Sequence, residues 1–261
     1  LGGLWLPAAF QPAAVESRLD LGYDASSSSL IVRNDAMTTG TTYRVQSTLR
    51  VSDVGDLERA TTDGDRAEVD PDTVAAAGIS DEVRATAQRV VTDAGATTPY
   101  AASRALQDWF RNEFTYDASV DYRSEADPVG AFLRDRRGFC QQFASTFALM
   151  ARSLGIPARV AVGFTPGDQL ADGTFVVRGR HAHAWPEVEL GSAGWVAFEP
   201  TPGRGNPQAS GYTGVEAAQA PPPPEQAVTT TSTSTTTPTT TAPAATAPAA
   251  PSDVDASATA T

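Results

Sequence analysis

Cys140 is the only cysteine in 261 residues. It cannot close an internal disulfide, so it is either a small buried apolar residue or a reactive thiol. Its setting, Arg137-Gly138-Phe139-Cys140-Gln141-Gln142-Phe143-Ala144, favours reactivity. Gly138 permits a tight turn just before the thiol. From Gln141 to Leu154 the large apolar residues recur at Phe143, Phe147, Met150 and Leu154, one face of a helix. Gly155 stops that helix and Pro157 bars its resumption. A thiol at a helix N-terminus lies near unpaired backbone N–H groups and the positive end of the dipole, which favours the thiolate.

A thiolate nucleophile needs a base within hydrogen-bond reach and a group that orients the base. The two histidines of the chain, His181 and His183, follow Cys140 by 41 and 43 residues. Both fall in the predicted strand HAHAWPEVEL and share a face of it, unless the strand begins only at His183. His183 is the favoured base, because it directly precedes Ala184-Trp185 and the indole of Trp185 would shield the imidazole from water. His181 is the reserve. Glu199, just before Pro200 at the end of GWVAFEP, is the candidate acid. In an antiparallel hairpin that end lies beside the His183 strand, where the carboxylate would accept from imidazole Nδ1–H.

Arg178 and Arg180 are candidates for holding a substrate carboxylate, against the plainer reading of surface arginines at a strand end. The Cys140 backbone N–H is the expected oxyanion donor. Gln141 and Gln142 point along the helix and are the weaker side-chain candidates. Arg159 reads as structural, paired with a carboxylate at the core edge. Cys140, His181, His183 and a carboxylate are also metal-ligand types, but their spacing matches no zinc pattern, so no metal and no cofactor is expected.

Composition narrows the partners. The chain has 31 acidic and 19 basic residues, a formal net charge of −12 and a pI near 4.5. That balance argues against nucleic acid, whose phosphates need a basic footprint, and against an anionic membrane surface. Every basic residue is arginine, so no lysine side chain is present to act as an amine in cis. No run of about 18 apolar residues predicts a transmembrane helix. The opening LGGLWLPAAFQP lacks the basic start of a signal peptide, and a chain beginning at leucine reads as a piece excised from something larger.

Along the chain, residues 1–55 read as a β-rich segment, with SLIVRN (29–34) and TYRVQSTLRVS (42–52) as strands. Residues 56–79 read as an acidic linker. Asp63, Asp65 and Asp70 lie there without the spacing of a calcium loop. Residues 80–205 form the predicted core. Ser80 starts a helix with Val83, Ala87, Val90 and Val91 on one face. Thr98-Pro99 starts a second, running to about Phe114 with Leu106, Trp109 and Phe110. Asp127-Pro128 starts a short third. After the Cys140 helix the period changes to that of strands: ARVAVGF (158–164), GTFVVRG, HAWPEVEL and GWVAFEP, expected as a four-stranded antiparallel meander. Residues 206–261 are Thr-, Pro- and Ala-rich and read as a disordered linker. The fold class is therefore α+β, with a helical layer carrying the cysteine and an antiparallel sheet carrying the histidine and the acid.

In three ordered blocks, GFCQQFASTFALMARSLGIPARVAVGF, HAWPEV and GWVAFEPTPG, residues of about 80–203 resemble the transglutaminase-like superfamily. The resemblance is to extracytoplasmic domains of bacterial, actinobacterial-type membrane-anchored members. It implies a papain-like cysteine-protease/transglutaminase core with a catalytic triad of Cys140, His183 and Glu199. The family usually has aspartate before Pro-Thr, and Glu199 is one methylene longer. The resemblance further implies cysteine-dependent acyl transfer on protein or peptide amides, at the outer face of the membrane. Substrates would be proteins or peptides, including cell-wall peptides, and the parent protein would be anchored by helices outside this chain. Two other readings remain open at this point: a cysteine peptidase or amidase, and a catalytically silent module that binds peptide or cell-wall polymer.

Overall fold

The computed structural model describes residues 5–9, 11–25, 27–33, 40–48, 52–62, 71–75, 78–219 and 257–258. The N-terminal part is a small β assembly. β1 (Trp5–Leu6), β4 (Ser29–Val32) and β3 (Leu21–Asp24) form one antiparallel sheet in that order, and β2 (Pro12–Glu16) pairs with β5 (Arg44–Ser47). Leu6, Leu30 and Val32 close its own small core. The 29–34 strand is present as β4. Of the 42–52 strand the described part is β5, residues 49–51 lying outside the described set.

The helices of the main core begin where the sequence places their caps. Ser80 Oγ accepts from Val83 N–H at the start of α3 (Asp81–Asp93), and Thr98 Oγ1 accepts from Ala101 N–H at the start of α4 (Pro99–Glu113). Asp127 accepts from Gly130 N–H at the start of α5 (Pro128–Asp135). Such side-chain acceptors satisfy N–H groups the first turn leaves open. α6 (Cys140–Ser153) ends at Gly155, which is left-handed at φ +80°. The four rings of Phe110, Phe114, Phe132 and Phe143 pack with centroids 5.0–6.0 Å apart, joining α4, α5 and α6.

Four features depart from the sequence reading. The acidic stretch 56–79 is not simply a solvated linker. Asp53 caps α1 (Val54–Arg59), whose Leu57 is wholly buried in the main core. One apolar residue in a run of charges suffices to anchor the segment, and it leaves no periodic signature. A second short helix, α2 (Pro71–Val74), follows, while Asp63, Asp65 and Asp70 lie outside the described residues. The meander is three-stranded. β11 (Ala182–Glu189) lies between β8 (Ala158–Phe164) and β12 (Trp195–Ala197). The expected second strand shrinks to β10 (Phe175–Val176), which pairs with β9 (Asp168–Gln169) and with Ser257–Ala258, outside the main sheet. Phe175 there is exposed, so no core contact extends the strand.

Third, Gly138 serves close packing rather than a turn. It sits in β7 (Arg137–Gly138), parallel to β6 (Thr115–Tyr116), and a Cβ there would meet the Phe132 ring at 2.7 Å. The chain reverses one step earlier, at Arg136, which adopts φ +53° as the C-cap of α5. Fourth, folded structure runs past residue 205. α7 (Ser210–Thr213) follows, Thr213 and Val215 are buried, Tyr212 packs on the core, and Gly205 bridges to Ala218. The remainder of the Thr/Pro-rich tail, apart from Ser257–Ala258, lies outside the described residues.

If Leu57 anchors the 53–60 segment, Leu57→Ala should lower the unfolding free energy by about 2–5 kcal/mol, read from urea denaturation followed by tryptophan fluorescence. A change under about 0.5 kcal/mol, typical of a surface site, would mark the segment as a linker after all.

Candidate active site

Cys140 is the first residue of α6 and is half-buried. Phe139 occupies the cap position without a side-chain acceptor, so Gln142 Oε1 reaches back to accept the Phe139 N–H at 3.1 Å. That contact fixes the start of the helix and commits Gln142 to capping. Gln141 is exposed and lines a cleft of about 610 Å³ together with Phe139, Tyr122 and Ser145.

The helix packs across β11, the middle strand of the sheet. His183 lies opposite Gly163 of β8, and a Cβ on Gly163 would meet the Trp185 ring at 2.9 Å. The glycine leaves room for the indole, which lies near-parallel to the imidazole at a centroid distance of 6.0 Å. Glu199 stands two residues beyond β12, where Phe198 N–H still donates to Pro186 carbonyl on β11. The hairpin register thus sets the carboxylate beside the histidine. His183 Nε2 donates to Glu199 Oε2 at 2.6 Å, with His183 5% and Glu199 3% exposed.

The sequence reading put the carboxylate on Nδ1. It is on Nε2 instead, and Nδ1 is buried without a hydrogen-bond partner. With Nε2 taken by the acid, Nδ1 is the nitrogen left for the Cys140 thiol, whose side chain interacts with His183. The longer side chain of Glu199 is accommodated with both oxygens held. Oε2 takes the imidazole, and Oε1 accepts the Thr201 N–H at 3.0 Å.

Electrostatics at the pair follow from these contacts. Burial alone would push the Cys140 thiol up. The nearness and charge of His183, the Ala184 N–H and the charge of Arg204 outweigh it and hold the thiol below its ordinary value. Burial alone would pull His183 down, but hydrogen bonds and charge from Cys140 and Glu199 raise it to about 9. At neutral pH the imidazole therefore holds its proton, and that charge favours the thiolate at the neighbouring sulfur. The sign of each shift sets its pH window. The stabilisation carried by imidazolium is complete below its unfolded value and is lost as pH rises through about 9. That carried by the thiolate is lost as pH falls through the lowered thiol value.

Two residues of α4 hold the acid in place, and sequence reasoning missed both. Glu199 N–H donates to Gln107 Oε1 at 3.1 Å, and Gln107 Nε2 in turn donates to the Thr213 carbonyl at 3.0 Å. Arg111 Nη1 donates to three carbonyls of one turn, those of Glu199 (3.1 Å), Thr201 (2.8 Å) and Arg204 (3.0 Å). The one available signal was a glutamine set within the Leu106/Phe110 stripe, and the structure shows it wholly buried.

The other candidates have different surroundings. His181 is in a one-turn 3-10 segment before β11, so it does not share the strand face of His183. It is buried, its Nδ1 accepts the Arg178 N–H at 2.9 Å, and its Nε2 lies 3.6 Å from Asp168 Oδ1. Burial holds it below the ordinary histidine value. These contacts give it a role in the turn. Arg180 is exposed and ion-paired with Asp168, and Arg178 is exposed and engaged. Arg159 is structural: it pairs with Glu187 at 2.8 Å across β8 and β11 and lies 4.2 Å over the Trp195 ring.

Residues 84–200 match the family model described as the transglutaminase-like superfamily. This stretch is a transglutaminase-like domain. Its described residues combine helices with a three-stranded antiparallel sheet. An uncharacterized protein of Bacillus subtilis (strain 168), YebA, is 36% identical over 113 residues, 40% of this chain and 15% of that protein. A Pseudomonas aeruginosa protein named protein-glutamine gamma-glutamyltransferase is 38% identical over 106 residues, 40% of this chain and 16% of that protein. The chain thus spans about a sixth of the length of these curated relatives. Among solved structures, the periplasmic domain of TgpA from Pseudomonas aeruginosa aligns with a TM-score of 0.49 at 23% identity, over 81% of this chain and 73% of that one.

The ion pair predicts a specific labelling profile. An ordinary thiol of pKa about 8.5 is only about 0.3% ionised at pH 6, so its alkylation falls roughly tenfold per pH unit. If the imidazolium beside Cys140 holds the thiolate, iodoacetamide should label it at pH 6 within about fivefold of its rate at pH 8. His183→Ala should restore the steep profile. A steep profile in the unaltered protein would show that no such ion pair exists.

Proposed function

We propose that this domain catalyses cysteine-dependent acyl transfer on protein or peptide amides, with Cys140 as nucleophile, His183 as acid and base, and Glu199 as orienter. The observation that carries the reading is the convergence of a half-buried thiol, a buried imidazole and a buried carboxylate bonded to it. Supporting it, a relative that shares this stretch bears the name protein-glutamine gamma-glutamyltransferase.

In the proposed reaction the Cys140 thiolate attacks the amide carbonyl, and the Sγ–C bond forms as the carbonyl oxygen takes the negative charge. The Cys140 backbone N–H, in the open first turn of α6, donates to that oxygen. The C–N bond then breaks and His183 Nδ1–H protonates the departing nitrogen, leaving a thioester and a neutral imidazole. An amine, deprotonated by His183, attacks the thioester and releases Cys140 as the thiolate. Water in the same role gives hydrolysis. Trp185 limits water at the imidazole, and Glu199 stabilises the imidazolium each time it forms. Because these 261 residues hold no lysine, an ε-amine acceptor must come from outside them.

We place this chemistry outside the cytoplasm, in a membrane-anchored parent protein, acting on secreted or cell-wall-associated peptides. The support for that setting is the resemblance of the three sequence blocks around Cys140, His183 and Glu199 to extracytoplasmic members of the superfamily. No described helix is long and apolar enough to cross a membrane, so on this reading the anchor lies outside those helices.

Incubated with a glutamine peptide and a primary amine, the protein should form the amide product and, transiently, a peptide adduct on Cys140 visible by intact mass. Cys140→Ala should abolish both, and turnover retained in that variant would sink the proposal. Glu199→Gln keeps an acceptor but loses the charge, and should lower kcat by about 10²–10⁴-fold. An unchanged kcat would remove Glu199 from the mechanism.

A further inference from the structure

Arg204 follows the acid turn, and no step of the proposed reaction uses its side chain. Its main chain is tied into the same turn as the acid. Arg204 N–H donates to the Thr201 carbonyl at 3.2 Å, and its own carbonyl accepts from Arg111. Gly203, left-handed at φ +75°, lets the chain reverse immediately before it. The residue is 93% buried, at 7% exposure, yet its Nε has no hydrogen-bond partner. Among the described residues no carboxylate lies within ion-pair distance of its guanidinium. The carboxylates nearby are committed: Glu199 to His183 and Thr201, Asp168 to Arg180 and His181, Glu187 to Arg159. The Arg204 charge is felt at both the Cys140 thiol and His181.

A guanidinium removed from water without a counter-charge is costly, and its planar fork of donors fits a carboxylate in two parallel hydrogen bonds. The thiolate offers only partial compensation, because it is a single soft acceptor that disappears when Cys140 is acylated. We propose that Arg204 is a specificity-determining residue that binds a carboxylate of the substrate, so that the preferred acyl donors are acidic peptides with a free carboxylate close to the scissile amide. The proposal rests on the acyl-transfer reading for its biological meaning, but the carboxylate site itself is testable without it.

Iodoacetate and iodoacetamide deliver the same carbon to Cys140. In each case Sγ–C forms and iodide leaves, and the reagents differ in carrying a carboxylate or its neutral amide. In the unaltered chain iodoacetate labelling should be saturable, and the iodoacetate-to-iodoacetamide rate ratio should exceed that of Arg204→Gln at least tenfold. Arg204→Lys should fall between the two. Arg180→Gln, which removes an exposed and already paired arginine, should match the unaltered chain. Should Arg204→Gln fail to fold, the unaltered chain still decides: millimolar acetate, but not acetamide, should protect Cys140 from iodoacetamide. Equal ratios in the two proteins, or no protection by acetate, would overturn the carboxylate site. A loss of both labelling rates to the same degree in Arg204→Gln would assign Arg204 to the thiolate alone and would also overturn it. If labelling behaves as expected but no amide forms a thioester, the acyl-transfer reading fails while the site stands. With turnover in hand, a glutamine peptide bearing an adjacent glutamate should exceed its glutamine isostere at least tenfold in kcat/KM, mainly through KM, and Arg204→Gln should erase that difference.

Discussion

A carboxylate and an imidazole 2.6 Å apart, each about 95% or more out of water, are the contact on which the rest of the site depends. Charges taken out of water are costly unless they are paired and hydrogen-bonded. They remain useful as a charged pair only while each is fully coordinated and neither can move. A glutamate with three side-chain torsions is a poor choice for such a post unless something immobilises it. Here the immobilisation is complete: one oxygen on His183, the other on the Thr201 N–H, and the residue's own N–H on Gln107. The extra methylene relative to aspartate is absorbed by the turn, which hands the second oxygen a backbone donor two residues on.

The turn is in its own right an unusual piece of backbone. Residues 199–204 include two prolines, which have no N–H to offer, so the segment cannot be held by a strand ladder. Its carbonyls would be left open in a partly buried place. Arg111 answers this by donating from one nitrogen to three of them. A guanidinium suits the task because its planar donors reach several acceptors from a fixed stem. α4 is thus more than a wall of the core. Its apolar side, through Phe110, joins the aromatic cluster under α6, and its polar residues Gln107 and Arg111 clamp the acid turn. Helix α6 with the thiol and the turn with the acid are referenced to one rigid element, and β11 brings the histidine between them.

What was legible in the sequence is what is encoded locally. Ser80, Thr98-Pro99 and Asp127-Pro128 declare helix starts because capping is a contact between residues three apart. Gly155 declares an end for a similar reason. The α+β order, the run of β8, β11 and β12, and the nearness of Glu199 to the His183 strand follow from period and hairpin logic. What was not legible depends on distant partners. Leu57 gives no pattern because its neighbours are charged, and only the core tells that it is buried. GTFVVRG has strand composition but no core to lie against. Gly138 looks like a turn residue until the Phe132 ring above it is known. The choice between Nδ1 and Nε2 is set by where the imidazole stands between β12 and α6, which spacing along one strand does not specify. Gln107, Arg111 and Arg204 act across 88 to 93 residues of chain or through burial alone, and no window of sequence contains both ends of such a contact.

The balance of charge around the nucleophile links these observations. On the proposed mechanism the resting thiolate and Glu199 are negative and the imidazolium and Arg204 positive, with Arg111 a further cation on the acid turn. Acylation breaks this arrangement locally without changing the total. The sulfur loses its charge to a neutral thioester, the imidazole gives its proton to the leaving nitrogen, and Glu199 and Arg204 are left on opposite sides of a neutral middle. Glu199 keeps the Thr201 N–H and the neutral ring as donors, so its position survives. Arg204 has no such second partner among the described residues. A substrate that brings its own carboxylate would restore the missing neighbour at the moment the thiolate vanishes, which stabilises the acylated state more than the free enzyme. A neutral substrate would leave the guanidinium buried and unmatched. Selectivity of that origin arises from the desolvation of one arginine, and it needs no pocket shaped to the rest of the substrate.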